Sequence, residues 1–169
     1  HCEQSVHHAL PIWSHMANEN WCMIGYHSVS VLADAIAKGL PIDKDAALKA
    51  MISSSTIPYY EGTKEFMELG YVPLDRNGSA GSLTLEYAYD DWCISAFANA
   101  MGDFENKSKY ERFAKAYEFY FDKSTRFMRG LDSEGEWRTP FNPRSSTHRN
   151  DDYCEGTAWQ WTWFVPHDV

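Results

Sequence analysis

Basic residues are scarce in this chain of 169 residues, which carries 15 Lys and Arg against 24 Asp and Glu, a formal net charge of −9. No run of Lys and Arg occurs anywhere in it. Because binding to phosphate groups of nucleic acids depends on clustered basic side chains, the composition argues against a nucleic-acid partner. Nor does any apolar stretch reach the roughly 18 residues of a membrane-spanning helix, so no span is expected.

Several chemical signatures are also missing. The four cysteines, at positions 2, 22, 93 and 154, lie far apart and form no CxxC pair. Two disulfides with three connectivities are possible on paper, but three of the cysteines lie in apolar, helix-like surroundings, where free buried thiols are commoner. We therefore expect free, buried thiols. With no HExxH, His–Cys cluster or glycine-rich phosphate loop, the sequence gives no support to a zinc hydrolase or a nucleotide-dependent enzyme.

What the sequence contains is a series of helical patterns separated by short loops, which indicates an all-α fold. Helices 22–38 and 83–101 are apolar on all sides, which is typical of buried helices, whereas the helices between them have one apolar face. Such an alternation indicates two concentric layers, inner and outer. The predicted elements are 22–38, ended by Gly39; 43–55, capped by Asp43; a short helix within 59–69; 83–101; an amphipathic helix opened by a capping box at 108–111; and an aromatic helix before Pro166.

The last nineteen residues, 151–169, read DDYCEGTAWQWTWFVPHDV. One carboxylate, that of Glu155, is surrounded there by five aromatic residues: Tyr153, Trp159, Trp161, Trp163 and Phe164. An indole face can pack on the apolar face of a pyranose while polar groups between the rings bind its hydroxyls. An aromatic core helix is the alternative, since such clusters often serve packing. Residue types alone leave both open.

The order of these residues resembles glycoside hydrolase family 92, a family of α-mannosidases in which this segment reads approximately EGNAWQYTWFVPHD. Residues 85–92 (LEYAYDDW) and 20–39 (NWCMIGYHSVSVLADAIAKG) fit the same family, and 138–143 (RTPFNP) fits it more weakly. The resemblance runs from about residue 10 to 169 with its motifs in order. It implies an (α/α)6 toroid with the active site at the mouth of the inner ring. This chain would be one partial catalytic domain and an incomplete ring.

The resemblance implies an exo-acting, inverting α-mannosidase that removes terminal α-linked mannose, with α-1,2 linkages expected, from an oligosaccharide or N-glycan. It also implies dependence on Ca²⁺, an ion that prefers hard oxygen ligands. The main calcium ligands and the general base are expected after residue 169, in the remainder of the same polypeptide. A periplasmic, cell-surface or secreted location is implied as well. From another class, a non-catalytic helical carbohydrate-binding or scaffold domain is the alternative, because it would also be rich in aromatic and acidic residues.

Glu155 falls on the Glu that opens the family motif, which implies that it is the general acid. Glycoside hydrolysis needs one carboxylic acid to protonate the leaving oxygen and a second carboxylate on the other face of the sugar. Gly156 and the residues after it indicate that Glu155 lies at a helix start, where an inert Glu is the alternative. Gln160 is expected to hydrogen-bond the sugar or the metal shell, and Trp159 to contact the sugar. Thr157 departs from the family's Asn.

Three acidic residues, Glu86, Asp90 and Asp91, lie on the predicted buried helix 83–101, and no Lys or Arg occurs between positions 76 and 107. Glu86 and Asp90 are four residues apart and share a helix face, while Asp91 points roughly 100° away. They are candidates for contact with the sugar. Alternatively, they pair with Arg residues of neighbouring helices and hold the ring together. His27, in predicted helix 22–38, is interpreted as a core residue with satisfied hydrogen bonds.

Residues 1–169 expressed alone are expected to lack mannosidase activity and to be poorly soluble. The segment would supply the acid without the base or the calcium shell, and apolar helices without their partners expose patches that aggregate. The check is an assay of the purified segment with calcium and an aryl α-mannoside, together with size-exclusion chromatography. A monodisperse monomer that melts cooperatively would contradict the interpretation as an internal piece.

Overall fold

The computed structural model describes residues 10, 13–15 and 18–169, and within them it is mostly helical. The helices are α1 (Ser28–Ala37), α2 (Lys44–Ser55), α3 (Thr63–Leu69), α4 (Ala80–Met101), α5 (Phe104–Phe113), α6 (Tyr117–Tyr120) and α7 (Ala158–Trp161). Two antiparallel pairs of two-residue strands accompany them, β1 (Ser14–His15) with β2 (Asn18–Glu19), and β3 (Phe121–Asp122) with β4 (Phe127–Met128). The all-α prediction is confirmed, although the strand pairs were not predicted.

Helix α4 is the centre of the structure. Its 22 residues contact all six other helices, and most of its side chains, including Ile94 and Phe97, are fully buried. The predicted buried helix at 83–101 is therefore confirmed, with a start three residues earlier. Gly102 ends it in the left-handed conformation, at φ +79°, as glycine often does after a helix. Among the described residues no helix is both long and apolar enough to cross a membrane.

The first predicted helix, at 22–38, begins later than expected. Helix α1 starts at Ser28, and the residues before it form a turn around Gly25, whose φ is +82°. The C-terminal end is as predicted, because Lys38 pairs with Asp34 at 2.6 Å and Gly39 follows in the left-handed conformation. An apolar run alone gave no sign of this turn, since glycine is tolerated within a helical pattern.

The burial of α1 is also less complete than expected for an inner helix. Val29 and Ala35 are buried, but Val31 is 68% exposed. The late start of α1 leaves Cys22 outside the helix and exposed, so the prediction of a buried thiol is wrong there. It is confirmed for Cys93 and Cys154, which are free and buried, and Cys2 lies outside the described residues.

Helix capping follows the prediction at α2 and departs from it at α5. The Asp43 carboxylate accepts a hydrogen bond from the Ala46 amide at 3.0 Å, as expected. The predicted capping box at 108–111 is wrong, because Asp103 accepts from the Asn106 amide at 3.1 Å and caps α5 instead. Ser108 therefore lies in mid-helix. An Asp directly after the end of α4 gives the backbone an earlier cap.

A long loop, residues 129–157, returns the chain to the start of α4. The Arg138 guanidinium pairs with the buried Asp152 carboxylate at 2.7 Å. The Asp152 carbonyl accepts from the Ser82 amide at 3.1 Å, and the Ser82 hydroxyl accepts from the Cys154 amide at 2.8 Å. These bonds fix residues 152–154 against the first turn of α4, directly before Glu155.

Substitution of two glycines by alanine distinguishes the effect of backbone strain from the effect of steric crowding on stability. Gly62 (φ +70°) and Gly102 (φ +79°) are both left-handed, but a Cβ at Gly62 would lie 2.7 Å from Val72, whereas one at Gly102 would meet nothing within 4 Å. Gly102→Ala is expected to cost about 1 kcal/mol of unfolding free energy, and Gly62→Ala about 1–3 kcal/mol more. Urea denaturation of the full-length protein measures both. Equal losses would show that Val72 yields without cost.

Candidate active site

An open cavity of about 330 Å³ lies between the turn before α1, the second turn of α4, the loop end at 154–156 and α7. Its lining consists of two carboxylates, one amide, two aromatic rings and smaller groups: Met23, Ile24, Glu86, Cys154, Glu155, Gly156, Gln160, Trp161 and Phe164. A concave, largely apolar wall with a few convergent polar groups is typical of small-molecule sites. The structure thus brings together three of the predicted residues, Glu155, Gln160 and Glu86.

Glu155 reaches this cavity from a loop. Helix α7 starts at Ala158 with Thr157 as its N-cap, so the prediction of Glu155 at the helix start is wrong by two residues. The Gln160 side-chain oxygen accepts from the Thr157 amide at 2.8 Å and closes the cap. The Glu155 side chain is exposed, and its backbone is left-handed at φ +50°. Strained non-glycine backbone of this kind is concentrated at functional sites.

The residues beside Glu155 are held on both sides. The Cys154 amide donates to the Ser82 hydroxyl, and the Cys154 carbonyl accepts from the Trp161 indole nitrogen at 2.9 Å. A Cβ at Gly156 would lie 2.9 Å from that same nitrogen, so only glycine fits there without a shift of the indole ring. The position of Glu155 at the cavity wall is therefore fixed by its neighbours.

The aromatic residues of the segment divide between two places. Trp161 and Phe164 line the cavity, with ring centroids 5.4 Å apart. Trp159 does not line it; its ring packs edge-on against Phe127 at 4.8 Å and is 54% exposed. Sequence reasoning chose Trp159 and passed over Trp161 and Phe164. The three-residue spacing of these two, which puts them on one side of a helical turn, was the available signal.

The three acids of α4 have partners that the sequence did not indicate. His27 lies between Glu86 and Asp90: its Nδ1 is 2.7 Å from Asp90 Oδ1, and its Nε2 contacts Glu86 Oε2. The other Asp90 oxygen accepts from the Tyr26 amide at 2.7 Å, and the Tyr26 hydroxyl donates to Asp91 at 2.7 Å. The alternative in which these acids pair with Arg residues is therefore wrong for the described residues.

Burial differs among the three acids. Asp90 and Asp91 are 0% exposed, whereas Glu86 is 8% exposed and faces the cavity. Burial raises the pKa of Asp91 well above its ordinary value, against the opposing effect of the Tyr26 hydrogen bond. A ligand in the cavity would meet Glu86 itself, and would meet Asp90 and Asp91 only through other residues.

The ring of His27 lies in a strongly electrostatic environment between two carboxylates. Burial lowers the pKa of His27, but the hydrogen bonds to Asp90 and Glu86 outweigh it and raise the pKa from 6.5 to about 10. At neutral pH the ring is an imidazolium that donates from both nitrogens. The interpretation of His27 as a residue with satisfied hydrogen bonds agrees with this geometry, but its placement in the core is wrong, since its side chain is 31% exposed.

No group of three or more His, Cys, Asp or Glu side chains in the described part of the chain is arranged to hold a metal ion. The described residues near this cavity therefore do not supply the oxygen-rich set of ligands that Ca²⁺ prefers.

The helical fold and a carboxylate in an aromatic-walled cavity are the features expected of a carbohydrate-active helical domain. The chain belongs to glycosyl hydrolase family 92, whose catalytic-domain model matches residues 2–169. The helical toroid of that family is thus the fold to which this segment contributes.

Solved structures and one curated sequence show the same relationship. The family GH92 α-mannosidase BT3965 from Bacteroides thetaiotaomicron superimposes with a TM-score of 0.90 at 44% identity, over 98% of this chain and 22% of that one. The family GH92 inverting mannosidase BT2199 from B. thetaiotaomicron VPI-5482 gives 0.84 at 32% identity, over 97% and 24%. An uncharacterized secreted glycosidase of Arthroderma benhamiae is 24% identical over 86% of this chain and 23% of its own. The chain thus spans about a quarter of the length of these relatives.

The Tyr26–Asp91 pair is expected to stabilise the fold. Tyr26→Phe leaves the fully buried Asp91 carboxyl without its donor, which should lower the free energy of unfolding by about 1–3 kcal/mol. In the double variant Tyr26→Phe/Asp91→Asn the second substitution removes the acid. The loss of unfolding free energy in the double variant should therefore be smaller than the sum of the losses in the two single variants. Thermal melts of the four proteins of this cycle are the measurement. Strict additivity would contradict a direct bond between the two side chains.

Proposed function

We propose that this chain contributes the general acid, Glu155, to the active site of an exo-acting, inverting α-mannosidase. The observation that carries the proposal is an exposed carboxylate at an open, aromatic-walled cavity, in a chain of family 92. The relatives support it, since BT3965 is an α-mannosidase also known in complex with mannoimidazole, and BT2199 is an inverting mannosidase.

In the proposed reaction, protonated Glu155 donates its proton to the glycosidic oxygen as the C1–O bond breaks. A second carboxylate removes a proton from water, which attacks C1 from the opposite face and inverts the anomeric centre. Inverting enzymes hold these carboxyl groups about 6.5–9.5 Å apart. We assign the base to the remainder of the polypeptide. Glu86 is not assigned this role, because its carboxylate is already held by contact with His27 Nε2.

The other cavity residues would bind the sugar. Trp161 and Phe164 offer flat apolar faces to the pyranose. Glu86 can accept hydrogen bonds from sugar hydroxyls. Gln160 binds Thr157 through its oxygen, so its amide N–H groups are the part that can donate to a ligand. Trp159 lies outside the cavity, and its proposed contact is with a sugar that extends beyond it.

Asp90 and Asp91 are proposed to act from behind the cavity wall. Asp90 holds His27, which in turn contacts Glu86, and Asp91 holds the Tyr26 hydroxyl. Their burial suits this supporting role, because neither has surface from which to touch a sugar.

The rest of the polypeptide is the proposed partner of this segment, which would be one part of the catalytic domain. Trp163 is 80% exposed and borders an apolar cavity of about 580 Å³ with Phe121 and Val165. Exposed apolar surface of this kind normally has a partner. Calcium, implied by the family resemblance, would be held by that remaining chain, since the described residues do not form its site.

The substrate proposed is a mannose-containing oligosaccharide or N-glycan with a terminal α-linked mannose, α-1,2 in the first instance. A periplasmic, cell-surface or secreted location is proposed with it. One relative is named as a secreted glycosidase, which supports that location.

A non-catalytic carbohydrate-binding or scaffold domain is less well supported. Such a domain would be favoured by a closed aromatic core with Glu155 locked to an Arg. Instead, Glu155 is exposed beside a cavity and has no ion-pair partner among the described residues.

In the full-length enzyme, Glu155→Gln is expected to reduce turnover of a mannobiose by about 10²–10⁴-fold while ligand binding is largely kept. The loss should be smaller with an aryl mannoside, because a good leaving group needs less protonation. Steady-state kinetics with both substrates and calorimetric binding of a mannose-like inhibitor measure this.

Glu111→Gln is the matched control. It makes the same isosteric change at an exposed acid of α5, which pairs with Lys107 at 2.5 Å, and should leave both rates unchanged. Normal hydrolysis of mannobiose by Glu155→Gln would show that another group is the acid.

A further inference from the structure

We propose that His27 is a positioning residue, whose ring is held by Asp90 and in turn fixes the Glu86 carboxylate at the wall of the cavity that contains Glu155. The proposal rests on the proposed function in one respect, that this cavity binds the sugar. It adds a residue from the turn before α1 to the sugar site, although His27 itself does not line the cavity.

The ring has a defined orientation because Asp90 is anchored first. Asp90 is fully buried, and its Oδ2 accepts from the Tyr26 amide at 2.7 Å. Its Oδ1 lies 2.7 Å from His27 Nδ1. With one oxygen fixed by backbone, the other aims the imidazole ring so that Nε2 points at Glu86.

The backbone is also shaped to seat the ring. A Cβ at Gly25 would lie 2.4 Å from His27 Nε2 and 2.8 Å from Cε1, and Gly25 has a φ of +82°. Tyr60 holds this turn in place, since its hydroxyl lies 2.5 Å from the Met23 carbonyl and 3.0 Å from that of Gly25. The turn that interrupts the predicted helix therefore serves to bring His27 beside α4.

Glu86 is the group on which this arrangement acts. A Glu has three side-chain torsions, and a mobile Glu at a cavity wall would lose entropy when it binds a hydroxyl. Contact with the ring restricts the carboxylate before the ligand arrives. A Glu86 carboxylate held in this way can accept hydrogen bonds from sugar hydroxyls in the cavity.

Two amide substitutions of His27 test the contributions of its two ring nitrogens separately. In His27→Asn the amide nitrogen lies near the place of Nδ1, so it can still donate to Asp90 but cannot reach Glu86. In His27→Gln the amide nitrogen lies near the place of Nε2 and can donate to Glu86, while Asp90 keeps only the Tyr26 amide as a donor. In the full-length enzyme we expect kcat/KM for mannobiose to fall about 10–100-fold in His27→Asn, mainly through KM, as for loss of a charged hydrogen bond. We expect His27→Gln to retain more activity and to have the lower Tm, since Oδ1 of the buried Asp90 is left without its His27 partner.

A role in stability alone predicts a different result, with activity following Tm in both variants. The proposal would be overturned if kcat/KM followed Tm in the two variants, or if kcat/KM were equal in both. Asp122→Asn is the control, because it removes another ion pair, with Arg129 at 2.9 Å, away from the cavity lining; its Tm should change while kcat/KM does not.

A double-mutant cycle completes the test. If His27 acts through Glu86, then His27→Asn should cost little further activity once Glu86→Gln is present. Additive losses would show that His27 acts by another route. If Glu86→Gln alone leaves kcat/KM unchanged, there is nothing for His27 to position and the proposal fails, whereas failure of the proposed acid would appear separately in Glu155→Gln. Should a His27 variant fail to fold, Gly25→Ala displaces the ring from the Nε2 side and should show the same loss and the same dependence on Glu86.

Discussion

The rest of the structure depends on the hydrogen-bond donors that reach three carboxylates of the buried helix α4. Burial of a charge or polar group without a partner is costly, and α4 has no basic residue of its own. The donors come from a single turn: the Tyr26 amide, the Tyr26 hydroxyl and the His27 ring. That turn must therefore lie directly against α4, which fixes where α1 begins and where the cavity opens. One electrostatic requirement thus sets the backbone path and the wall of the site together.

The loop 129–157 meets a similar requirement from the other side. Its buried Asp152 is neutralised by Arg138, and its backbone bonds with Ser82 tie it to the first turn of α4. Because the loop is tied at Ser82, one turn before Glu86, and continues directly into Glu155, the carboxylates of Glu86 and Glu155 line the same cavity. The cavity is therefore a product of the two segments that satisfy the polar groups of one helix.

Much of the fold could be predicted from the sequence because it depends on local patterns. The all-round apolar run gave α4, and Asp43 and Gly39 gave helix ends that the structure confirms. The predictions failed where local patterns compete. Gly25 was read as tolerated within a helix, and Asp103 capped α5 ahead of the box at 108–111. Glu155 and Gln160 could be selected from their motif, and the three-residue spacing of Trp161 and Phe164 was the signal for the two rings of the cavity. The contacts of His27 with Glu86 and Asp90 join residues about sixty positions apart, which no local pattern contains.

Those long sequence separations have a consequence for how the protein folds. His27 and Asp90 are 63 positions apart, and Ser82 and Cys154 are 72 apart, so the cavity closes only after two large chain loops have formed. Contacts of this kind are made late, because the entropy of loop closure opposes them until the surrounding helices are in place. Helix α5 follows α4 directly in the chain, so its contacts with α4 need no large loop to close. Recovery of the cavity is therefore expected to follow recovery of helix content during refolding.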